Sequence, residues 1–432
     1  MARFLLATVP SAGHLLPVLP IARSLVARGH EVAWITGCAF EQRVVQTGVC
    51  FFAWPPAIDS SLIHVYDLYP ELGQLEGLAR AKYYLKHIFL GTCPMMLEVI
   101  DEALQVFPAQ VFIGDNAMFA LFLKGEMLGR PSAKLSLLPL GVPSRDTAPF
   151  GMGLQPGQGA LARLRNRMLN DAVYGRMLRD LNDDANRLRQ GLGLAPLDES
   201  FLISVWYIPQ LVMQLSTPAF EYPRSDLPPH IHFIGPSLPD AADTFERTSW
   251  WCDLTRPEPV VLINQGTVEA DAADLLLPAM EALRNEALLV VAVPLREEEV
   301  GDLLANVRAA PFIPFERLLP YVDVMVTNGG YGGTQASLAH GVPLVVAGNT
   351  DDKMEVAARV AWTGAGINLR TKRPSPTALR RAVQKVLANP VYRQQAQCIG
   401  DEFARYDAPR MAVALLEGLL RLSGQIRGMY IG

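Results

Sequence analysis

The sequence is poor in cysteine, and the cysteines that it has stand in no metal-binding or redox pattern. There are five of them, at Cys38, Cys50, Cys93, Cys252 and Cys398. Because no two are spaced as CxxC, the sequence predicts neither a thiolate zinc site nor a disulfide framework. An odd and scattered set of cysteines is typical of reduced thiols, and we therefore expect a cytoplasmic protein.

Long hydrophobic runs are absent as well. A transmembrane helix needs about 18 consecutive apolar residues, and the longest candidate, residues 201–215, is interrupted by Pro209 and Gln210. The short apolar run at residues 4–9 leads directly into Ser11, so we interpret it as a buried strand and not as a signal peptide. The sequence predicts no transmembrane segment, although peripheral contact with a membrane stays open.

An excess of positive charge is also missing. The chain has 38 lysines and arginines against 43 aspartates and glutamates, which gives a formal net charge of -5. Proteins that bind nucleic acids usually carry a basic patch, so we expect no nucleic-acid partner. Of the 432 residues, 50% are hydrophobic, which is enough for two packed domains and too much for one ordinary core.

Several sequence motifs of common enzyme classes are missing. The chain contains no GxxxxGK[ST] sequence and no complete GxGxxG sequence, so P-loop kinases and the usual dinucleotide-binding enzymes lack their key residues here. It also lacks a GxSxG sequence, the turn that presents an activated serine in α/β-hydrolases. If the chain binds a nucleotide, it must do so with a different glycine-rich turn.

Apolar strands alternate with helical segments in both halves of the chain. In the first half the pattern predicts strands at residues 4–9, 31–36, 110–114 and 131–135 and helices at residues 15–28 and 117–128. In the second half it predicts strands at residues 260–264, 288–294, 307–310, 322–327 and 342–347 and helices at residues 272–284 and 353–362. Such alternation is typical of parallel sheets with helices on both faces. The predicted fold class is α/β, with two doubly wound Rossmann-like domains that face a cleft.

A proline cluster marks the boundary between the two halves. It comprises Pro218, Pro223, Pro228, Pro229, Pro236 and Pro239. We therefore predict a first domain at residues 1–217, a linker at residues 218–256 and a second domain at residues 257–408. The apolar helix expected at residues 409–432 must pack on another element, and we expect it to return to the first domain. Residues 139–159 are rich in proline and glycine and predict a long loop, a type of segment that is often functional.

The most informative stretch is the strand at residues 322–327 with the glycine-rich turn that follows it. The turn contains Asn328, Gly329, Gly330, Gly332, Gly333 and Thr334. A helix is predicted from Gln335 onward, and a strand that leads through glycines into a helix N-terminus presents backbone amides to an anion. We therefore expect the phosphates of a nucleotide-type ligand here, although glycines that only punctuate a turn would give the same pattern.

Two polar segments follow other predicted strands of the second half. They are Gln265-Gly266-Thr267 and Asp351-Asp352-Lys353. The first can offer amides and a hydroxyl to a phosphate. The second can hold sugar hydroxyls or a metal beside the glycine turn, and an acidic pair that only caps the following helix is the alternative.

A histidine and an aspartate stand directly after two strands of the first half. His14 follows the strand at residues 4–9, and Asp115 ends the strand at residues 110–114. The carboxyl ends of parallel strands meet at one edge of a sheet, where such folds bind ligands. Because a carboxylate can orient an imidazole for proton transfer, we interpret the pair as a site that deprotonates a substrate hydroxyl. A histidine that only caps the turn is the alternative.

Aromatic side chains are frequent in the irregular segments of the first half. They are Phe51, Phe52, Trp54, Tyr66, Tyr69, Phe119 and Trp206. We expect most of them to lie in the core and some to line an apolar ligand pocket, because ligand sites are mostly apolar with few polar groups.

Taken together, these segments resemble the UDP-glycosyltransferase superfamily of nucleotide-sugar-dependent glycosyltransferases, which have the GT-B fold of two Rossmann-like domains. The bacterial natural-product members are the most similar, and the resemblance covers essentially the whole chain. The segments that carry it are residues 13–17, residues 25–32, Asp115, residues 265–267, residues 312–314, residues 328–330, residues 341–343 and Asp352-Lys353.

The resemblance implies roles for the residues that would act on the acceptor and for those that would bind the nucleobase. His14 would be the general base toward the acceptor hydroxyl, and Asp115 would orient it. Phe312, Ile313 and the following proline would cup the nucleobase, with the aromatic ring stacked on it. The first domain would then bind the acceptor, and the second domain would bind the nucleotide sugar.

The resemblance also implies which residues hold the rest of the donor. Gly266, Thr267 and the turn at residues 328–334 would hold the diphosphate, and Asp352 with Lys353 would hold the sugar hydroxyls. Three positions depart from the family pattern. Asn328 stands where many members have histidine, Lys353 stands where many have glutamine, and Phe312 stands where many plant members have tryptophan.

The resemblance implies an inverting, metal-independent glycosyltransferase that moves a sugar from UDP or dTDP to a hydroxyl of a small apolar acceptor, such as a natural-product aglycone or a lipid. The nucleotide sugar is a co-substrate, and we expect no cofactor. A nucleotide-sugar epimerase of the same architecture and a non-catalytic partner of a glycosyltransferase are the alternatives. The presence of both His14 and Asp115 counts against the second of them.

Overall fold

Two parallel β-sheets organise the chain. The computed structural model describes residues 1–157, 159–238, 245–266, 271–294, 296, 299, 303–350 and 352–431. In each sheet every pairing between neighbouring strands is parallel. The predicted α/β class with two doubly wound Rossmann-like domains is therefore confirmed.

Within the described residues, the first sheet has seven strands. They are β1 (Arg3–Ala7), β2 (Glu31–Thr36), β3 (Cys50–Ala53), β4 (Val111–Gly114), β5 (Ser132–Ser136), β6 (Leu211–Gln214) and β7 (Ile231–Phe233). Their order across the sheet is β3-β2-β1-β4-β5-β6-β7. The direction of winding reverses between β1 and β4, and the crevice at such a reversal is where open α/β sheets bind ligands.

Helices cover both faces of the first sheet. They are α1 (Ala12–Leu15), α2 (Leu19–Ala27), α3 (Glu41–Val45), α4 (Val65–Leu68), α5 (Gly77–Tyr83), α6 (Cys93–Val106), α7 (Phe119–Leu128), α8 (Ala160–Asn170), α9 (Arg179–Gly191) and α10 (Phe201–Ser204). Leu5 and Phe112 belong to one buried cluster, and Phe4 and Ile113 belong to the cluster on the other face. Because successive side chains of a strand point to opposite faces, the central strands are apolar without interruption.

The second sheet repeats this plan with fewer strands. Its strands are β8 (Val260–Asn264), β9 (Leu289–Val293), β10 (Val307–Ala309), β11 (Val324–Thr327), β12 (Leu344–Val346) and β13 (Gly366–Asn368). Their order is β10-β9-β8-β11-β12-β13, so the reversal lies between β8 and β11. The accompanying helices are α11 (Leu276–Leu283), α12 (Phe315–Leu318), α13 (Tyr331–Ala339), α14 (Lys353–Trp362), α15 (Pro376–Ala388), α16 (Pro390–Phe403) and α17 (Ala408–Ile431).

Three predicted helices begin four residues from the expected position, and one of them, the helix predicted from residue 272, begins at Leu276. The helix predicted from residue 15 begins at Leu19, because proline is tolerated in the first turn of a helix but not in its interior, and Pro20 occupies that first turn. The helix predicted from Gln335 begins at Tyr331. Glycines disfavour a helix, but the buried Tyr331 donates a hydrogen bond from its hydroxyl to Glu221 (3.0 Å), and this tertiary contact outweighs the local preference.

The segment expected as the linker is partly built into the first sheet. Residues 218–256 include β7, which pairs in parallel with β6. The first sheet therefore continues to Phe233, and the passage to the second sheet begins after that residue.

The last helix of the chain returns to the first domain. Ala412, Leu416 and Leu419 of α17 are buried in the same cluster as Leu25 of α2. Glu417 of α17 also accepts a hydrogen bond from Nε of Arg28 and lies 3.2 Å from Nε2 of His30. The end of the chain thus forms a second connection between the domains, besides the segment after β7.

A buried group of charges joins the domains at the cleft. We call Glu221, Arg224, Glu355 and Arg359 the interdomain ionic cluster. Nε and Nη1 of Arg359 lie 2.9 Å from the carboxylates of Glu221 and Glu355, and Nη2 donates to the carbonyl of Leu140 (3.1 Å). Burial lowers the pKa of Arg224 to about 10, so this arginine stays charged at neutral pH. The cluster therefore holds two positive and two negative charges.

We predict that the packing of α17 contributes strongly to stability. Leu416→Ala removes a fully buried side chain from the α2–α17 contact and should lower the free energy of unfolding by about 2–5 kcal/mol. Urea denaturation of the two proteins measures this difference. Leu422→Ala on the same helix is the matched control, because Leu422 is 61% exposed and should change stability by less than about 0.5 kcal/mol. Equal effects of the two substitutions would contradict the prediction.

Candidate active site

The reversal in the first sheet brings His14 and Asp115 together. His14 lies in α1, which begins five residues after β1 ends, and Asp115 directly follows β4. Nδ1 of His14 lies 2.7 Å from Oδ2 of Asp115. An ionised carboxylate only accepts hydrogen bonds, so Nδ1 carries the proton and Nε2 keeps its lone pair. This arrangement provides a base whose basic nitrogen points away from the aspartate.

Backbone amides hold the carboxylate of Asp115 in place. Its Oδ2 accepts a hydrogen bond from the amide of Val9 (2.7 Å), and its Oδ1 accepts one from the amide of Ala117 (2.8 Å). The side chain of Asp115 is fully buried, whereas that of His14 is 22% exposed. The aspartate is therefore fixed inside the domain, and the histidine is the member of the pair that solvent or a substrate can reach.

The charges around His14 raise its pKa. Burial alone would lower the pKa of His14, but the charge and the hydrogen bond of Asp115 outweigh it, and the charge of Asp352 adds to the increase. Asp352 belongs to the second domain, so its carboxylate lies close enough across the cleft to act on the imidazole. His14 and the predicted donor-sugar residue Asp352 therefore interact electrostatically although they belong to different domains.

Lys134 is a buried lysine on the strand next to Asp115. Its ammonium nitrogen lies 3.7 Å from the centre of the Trp206 ring and 3.4 Å from the carbonyl of Val205. Burial lowers the pKa of Lys134 to about 7, and the negative charge of Asp115 opposes this decrease. His14 and Lys134 therefore both interact with the same buried carboxylate.

The reversal in the second sheet carries the glycine turn. Asn328, Gly329 and Gly330 connect β11 to α13, and Gly330 is the N-cap residue of α13. The N-cap glycine has no side chain to cap the helix, and the first turn has no acidic residue. The amide of Gly330 donates a hydrogen bond to Oδ1 of Asn328 (3.3 Å). Gly329 has φ of +90°, and a Cβ there would lie 2.9 Å from Val346. Only glycine fits this backbone without strain.

The end of β8 packs directly against this turn. Gly266 has φ of +82°, and a Cβ at this position would lie 3.2 Å from the side chain of Asn328. The side-chain nitrogen Nδ2 of Asn328 donates a hydrogen bond to the backbone carbonyl of Gln265. The structure thus brings Gly266 together with Asn328 and its neighbouring glycines. Thr267 lies outside the described residues.

Other members of the predicted cradle lie within α13. Gly332 has open space where a side chain would be, and Gly333 lies in ordinary contact with Phe315. Thr334 is fully buried, and its hydroxyl has no hydrogen-bond partner among the described residues. These residues therefore form the first turn of the helix rather than an irregular loop.

The predicted donor-sugar residues begin α14 beside the glycine turn. Asp352 occupies the N-cap position, but its side chain makes no capping hydrogen bond, and Lys353 is the first helical residue. The carbonyl of Lys353 would lie 3.3 Å from a Cβ at Gly329. Asp352 and Lys353 are therefore neighbours of the turn, whereas Asp351 lies outside the described residues.

The predicted nucleobase residues split into one exposed and one buried side chain. Phe312 is 69% exposed, and Ile313 is 3% exposed. Both precede α12 in the segment that follows β10. An aromatic ring of this exposure is available for stacking, while Ile313 anchors the segment in the core of the second domain.

The aromatic residues proposed for the acceptor side mostly serve the core. Trp54, Phe119 and Trp206 are buried in the first domain. Tyr66 and Tyr69 are half-buried, so they remain available to a ligand. This outcome agrees with the expectation that most of these side chains are core residues.

Sequence reasoning missed the interdomain ionic cluster and Lys134. Glu355 and Arg359 are four residues apart on a predicted helix, and such a pair usually lies on a solvated face. The available signal for the cluster was that Glu355 and Arg359 lie on the same predicted helix as the proposed sugar residue Lys353. Lys134 is the single charge in the strand Ser132–Ser136, and a lone lysine in an apolar strand was the available sign.

The fold and the site define a class before any comparison. Two Rossmann-like domains face each other, one with an oriented histidine and the other with an open helix N-terminus, as in a transferase that binds a nucleotide in one domain and a second substrate in the other. No helix in the described ranges is long and apolar enough to cross a membrane. The part of the chain that the structure describes also contains no group of three or more metal-ligating side chains.

Comparison with known proteins identifies the family. Residues 275–419 match the C-terminal domain of the erythromycin biosynthesis protein CIII-like family. The 4'-demethylrebeccamycin synthase of Lentzea aerocolonigenes is 41% identical over 97% of this chain and 100% of that protein. UDP-glycosyltransferase 2 of Phaeomoniella chlamydospora is 33% identical over 94% of this chain and 92% of that protein. The chain belongs to the UDP-glycosyltransferase superfamily and is a glycosyltransferase of the natural-product type.

Solved structures agree with this fold. The crystal structure of the kitacinnamycin glycosyltransferase superposes with a TM-score of 0.75, covers 97% of this chain and 98% of its own, and is 22% identical. The GT-B architecture is therefore shown, and membership of the family implies a nucleotide-sugar donor and an acceptor as substrates. The epimerase and the non-catalytic partner are not favoured by these relatives.

We predict that Asp115 sets the pKa of His14. In the unsubstituted protein the imidazole should titrate above its ordinary pKa of about 6.5, because the carboxylate stabilises the charged form. In Asp115→Asn burial then dominates, and the pKa should fall below that value. NMR titration of the imidazole Cε1 signal, assigned by its loss in His14→Ala, measures both values. Glu417→Gln, which removes the carboxylate beside His30, should leave the His14 curve unchanged, and equal curves for Asp115→Asn and the unsubstituted protein would refute the assignment.

Proposed function

We propose that this glycosyltransferase inverts the configuration at the sugar C1 and works without a metal ion, using UDP or dTDP sugars and a hydroxyl of a small apolar acceptor. The observation that carries the proposal is the contact of 2.7 Å between Nδ1 of His14 and Oδ2 of Asp115, at a site that also feels the charge of Asp352. A base on one domain thus faces a sugar-binding position on the other.

The proposed step is a single displacement. Nε2 of His14 removes the proton of the acceptor hydroxyl, and the oxygen forms a bond to the sugar C1 from the face opposite the diphosphate. The bond between C1 and the phosphate oxygen breaks, and the nucleoside diphosphate leaves with the electron pair. Asp115 stabilises the imidazolium that forms, and the proton then passes to solvent. Because His14 must be neutral to accept the proton, turnover should rise with pH through its raised pKa.

Backbone amides would stabilise the leaving group. The diphosphate gains negative charge as the bond breaks, and the uncapped N-terminus of α13 beside Gly330 and Gly266 offers amides and a helix dipole at that point. This environment supplies the charge stabilisation that a divalent ion provides in other transferases. Thr267, by its place in the sequence, would add a hydroxyl donor.

The remaining donor contacts follow from the same region. Phe312 would stack on the nucleobase, with Ile313 beneath it in the core, and Asp352 with Lys353 would hold the sugar hydroxyls beside the glycine turn. The relative named UDP-glycosyltransferase 2 supports a uridine nucleotide. Asn328 would donate a hydrogen bond to a phosphate without adding charge.

The acceptor would bind on the first domain in front of His14. Met152 and Leu154, in the loop that follows β5, are 41% and 38% exposed. Exposed apolar side chains of this kind suit a flat or lipidic acceptor. The relative named 4'-demethylrebeccamycin synthase supports an acceptor of the natural-product type.

The proposed function predicts a specific loss in His14→Ala. A general base typically contributes 10²–10⁴-fold to the rate, so turnover should fall by about that factor. Mass spectrometry of reactions with UDP and dTDP sugars and a panel of polycyclic phenols and hydroxy fatty acids measures product formation. Calorimetric titration with UDP is the control and should give an unchanged dissociation constant, because His14 does not touch the nucleotide site.

The other outcomes of this screen separate the alternatives. Turnover in His14→Ala equal to that of the unsubstituted protein would remove the base assignment. Epimerisation of the donor without an acceptor would favour an epimerase. UDP binding with no product from any acceptor would favour a non-catalytic partner.

The nucleobase assignment predicts a loss of nucleotide affinity in Phe312→Ala. Stacking of a base on an aromatic ring is worth about 1–3 kcal/mol, so the dissociation constant for UDP should rise by about 5- to 150-fold. Phe312→Trp keeps the stacking surface and is the matched control. Since Phe312 is 69% exposed, neither change should disturb the fold. Unchanged affinity in Phe312→Ala would place the nucleobase elsewhere.

A further inference from the structure

Helix α14 holds the loop at residues 139–159, which we call the acceptor-side loop, at the same end that carries the proposed sugar residues. Oε1 of Glu355 accepts hydrogen bonds from the amides of Gly151 and Gly153, both at 2.9 Å. Oε2 of the same carboxylate lies 2.9 Å from Nη1 of Arg359. One buried side chain of the second domain thus binds a loop of the first domain and an arginine of the interdomain ionic cluster.

Further contacts fix the loop along α14. Nε2 of Gln155 donates to the carbonyl of Ala358 (3.3 Å), and the carbonyl of Leu140 accepts from Nη2 of Arg359 (3.1 Å). Gly153 has φ of +60°, and a Cβ there would lie 3.2 Å from the carbonyl of Met354. The backbone of the loop therefore touches the helix too closely for a side chain at this position.

The loop begins beside the proposed base. It follows β5, the strand next to β4, at whose end Asp115 lies. Oδ1 of Asn116 accepts a hydrogen bond from the amide of Leu137 (2.7 Å), so the residue after Asp115 holds the start of the loop. Between and beyond its two fixed glycines the loop presents Met152 and Leu154, which are partly exposed.

We propose that Glu355 is a positioning residue that sets this loop as the acceptor-facing wall of the cleft, in register with the donor-sugar end of α14. The inference rests on the proposed function for its chemistry, but the contact itself is independent of it. Glu355 touches neither reactant. Its carboxylate binds the glycines on both sides of Met152, and Asp352 lies at the start of the same helix. The positions of Met152 and Asp352 therefore depend on one another.

The test compares transfer to an acceptor with hydrolysis of the donor by water. In Glu355→Ala, transfer from UDP-glucose to the best acceptor of the panel should fall about 10- to 100-fold through a higher acceptor KM, because a displacement of about 1 Å can cost that much. Hydrolysis of UDP-glucose and the dissociation constant for UDP should change less than twofold. In Glu355→Gln the amide oxygen can still accept from both glycines, whereas its NH2 group cannot accept from Nη1 of Arg359, so part of the transfer should be restored.

A second variant reaches the same contact without changing a charge. Gly153→Ala should displace the loop, since the added Cβ meets the carbonyl of Met354, and it should reproduce the rise in acceptor KM even if Glu355→Ala does not fold. Gly129→Ala is the matched control, because Gly129 also has positive φ (+58°) but has nothing within 4 Å of a Cβ. Gly129→Ala should leave the ratio of transfer to hydrolysis unchanged.

Hydrogen exchange at the loop amides distinguishes failure of this inference from failure of the proposed function. The amides of Gly151 and Gly153 should exchange at least tenfold faster in Glu355→Ala than in the unsubstituted protein or in Glu355→Gln. Faster exchange with unchanged acceptor KM would overturn the positioning role while leaving the transferase intact. If the unsubstituted protein transfers sugar to no acceptor, the proposed function fails. Equal exchange rates in all variants would overturn the contact between Glu355 and the loop, whether or not sugar is transferred.

Discussion

The geometry of this enzyme depends on the buried arginine that joins its two domains. Arg359 of α14 binds Glu221 of the first domain and Glu355 of its own helix, and all three side chains are at most 5% exposed. Removing Arg359 alone would leave two buried carboxylates with Arg224 as the remaining arginine of the cluster. Breaking a buried ion pair in this way costs about 3–5 kcal/mol. Each domain contributes one carboxylate and one arginine to the cluster, and Arg359 pairs with a carboxylate from each domain. The ion pair with Glu221 therefore forms only in one relative arrangement of the domains.

Neither domain has a complete site by itself. The first sheet provides an oriented imidazole at its point of reversal, and the second sheet provides an uncapped helix N-terminus at its own. Asp352 links the two, because its charge acts on His14 across the cleft. The pKa of His14 is therefore raised in part by a charge that belongs to the second domain.

The sequence predicted the features that depend on local order along the chain. Continuous apolar strands revealed the sheets. Asp115 and Asn328 were found because each directly follows a strand, and His14 was found because it lies in the segment after the first strand. Strands β3, β6, β7 and β13 were missed, because each has only three or four residues and so short a run shows no clear period. The role of Glu355 at the loop was missed because Gly151 and Gly153, whose amides its carboxylate binds, lie more than 200 residues away, and no local pattern contains that information.

The polar nature of the interface has a physical reason. Apolar contacts have no preferred direction, and two domains joined only by them can slide or rotate at little cost. Hydrogen bonds and bidentate ion pairs weaken steeply when their geometry is lost. Since a buried ion pair adds little net stability compared with apolar side chains of the same size, the four charges are better explained by orientation than by stability. A reaction in which the base and the sugar are carried by separate domains needs that orientation, because the attacking oxygen must meet C1 within a fraction of an ångström.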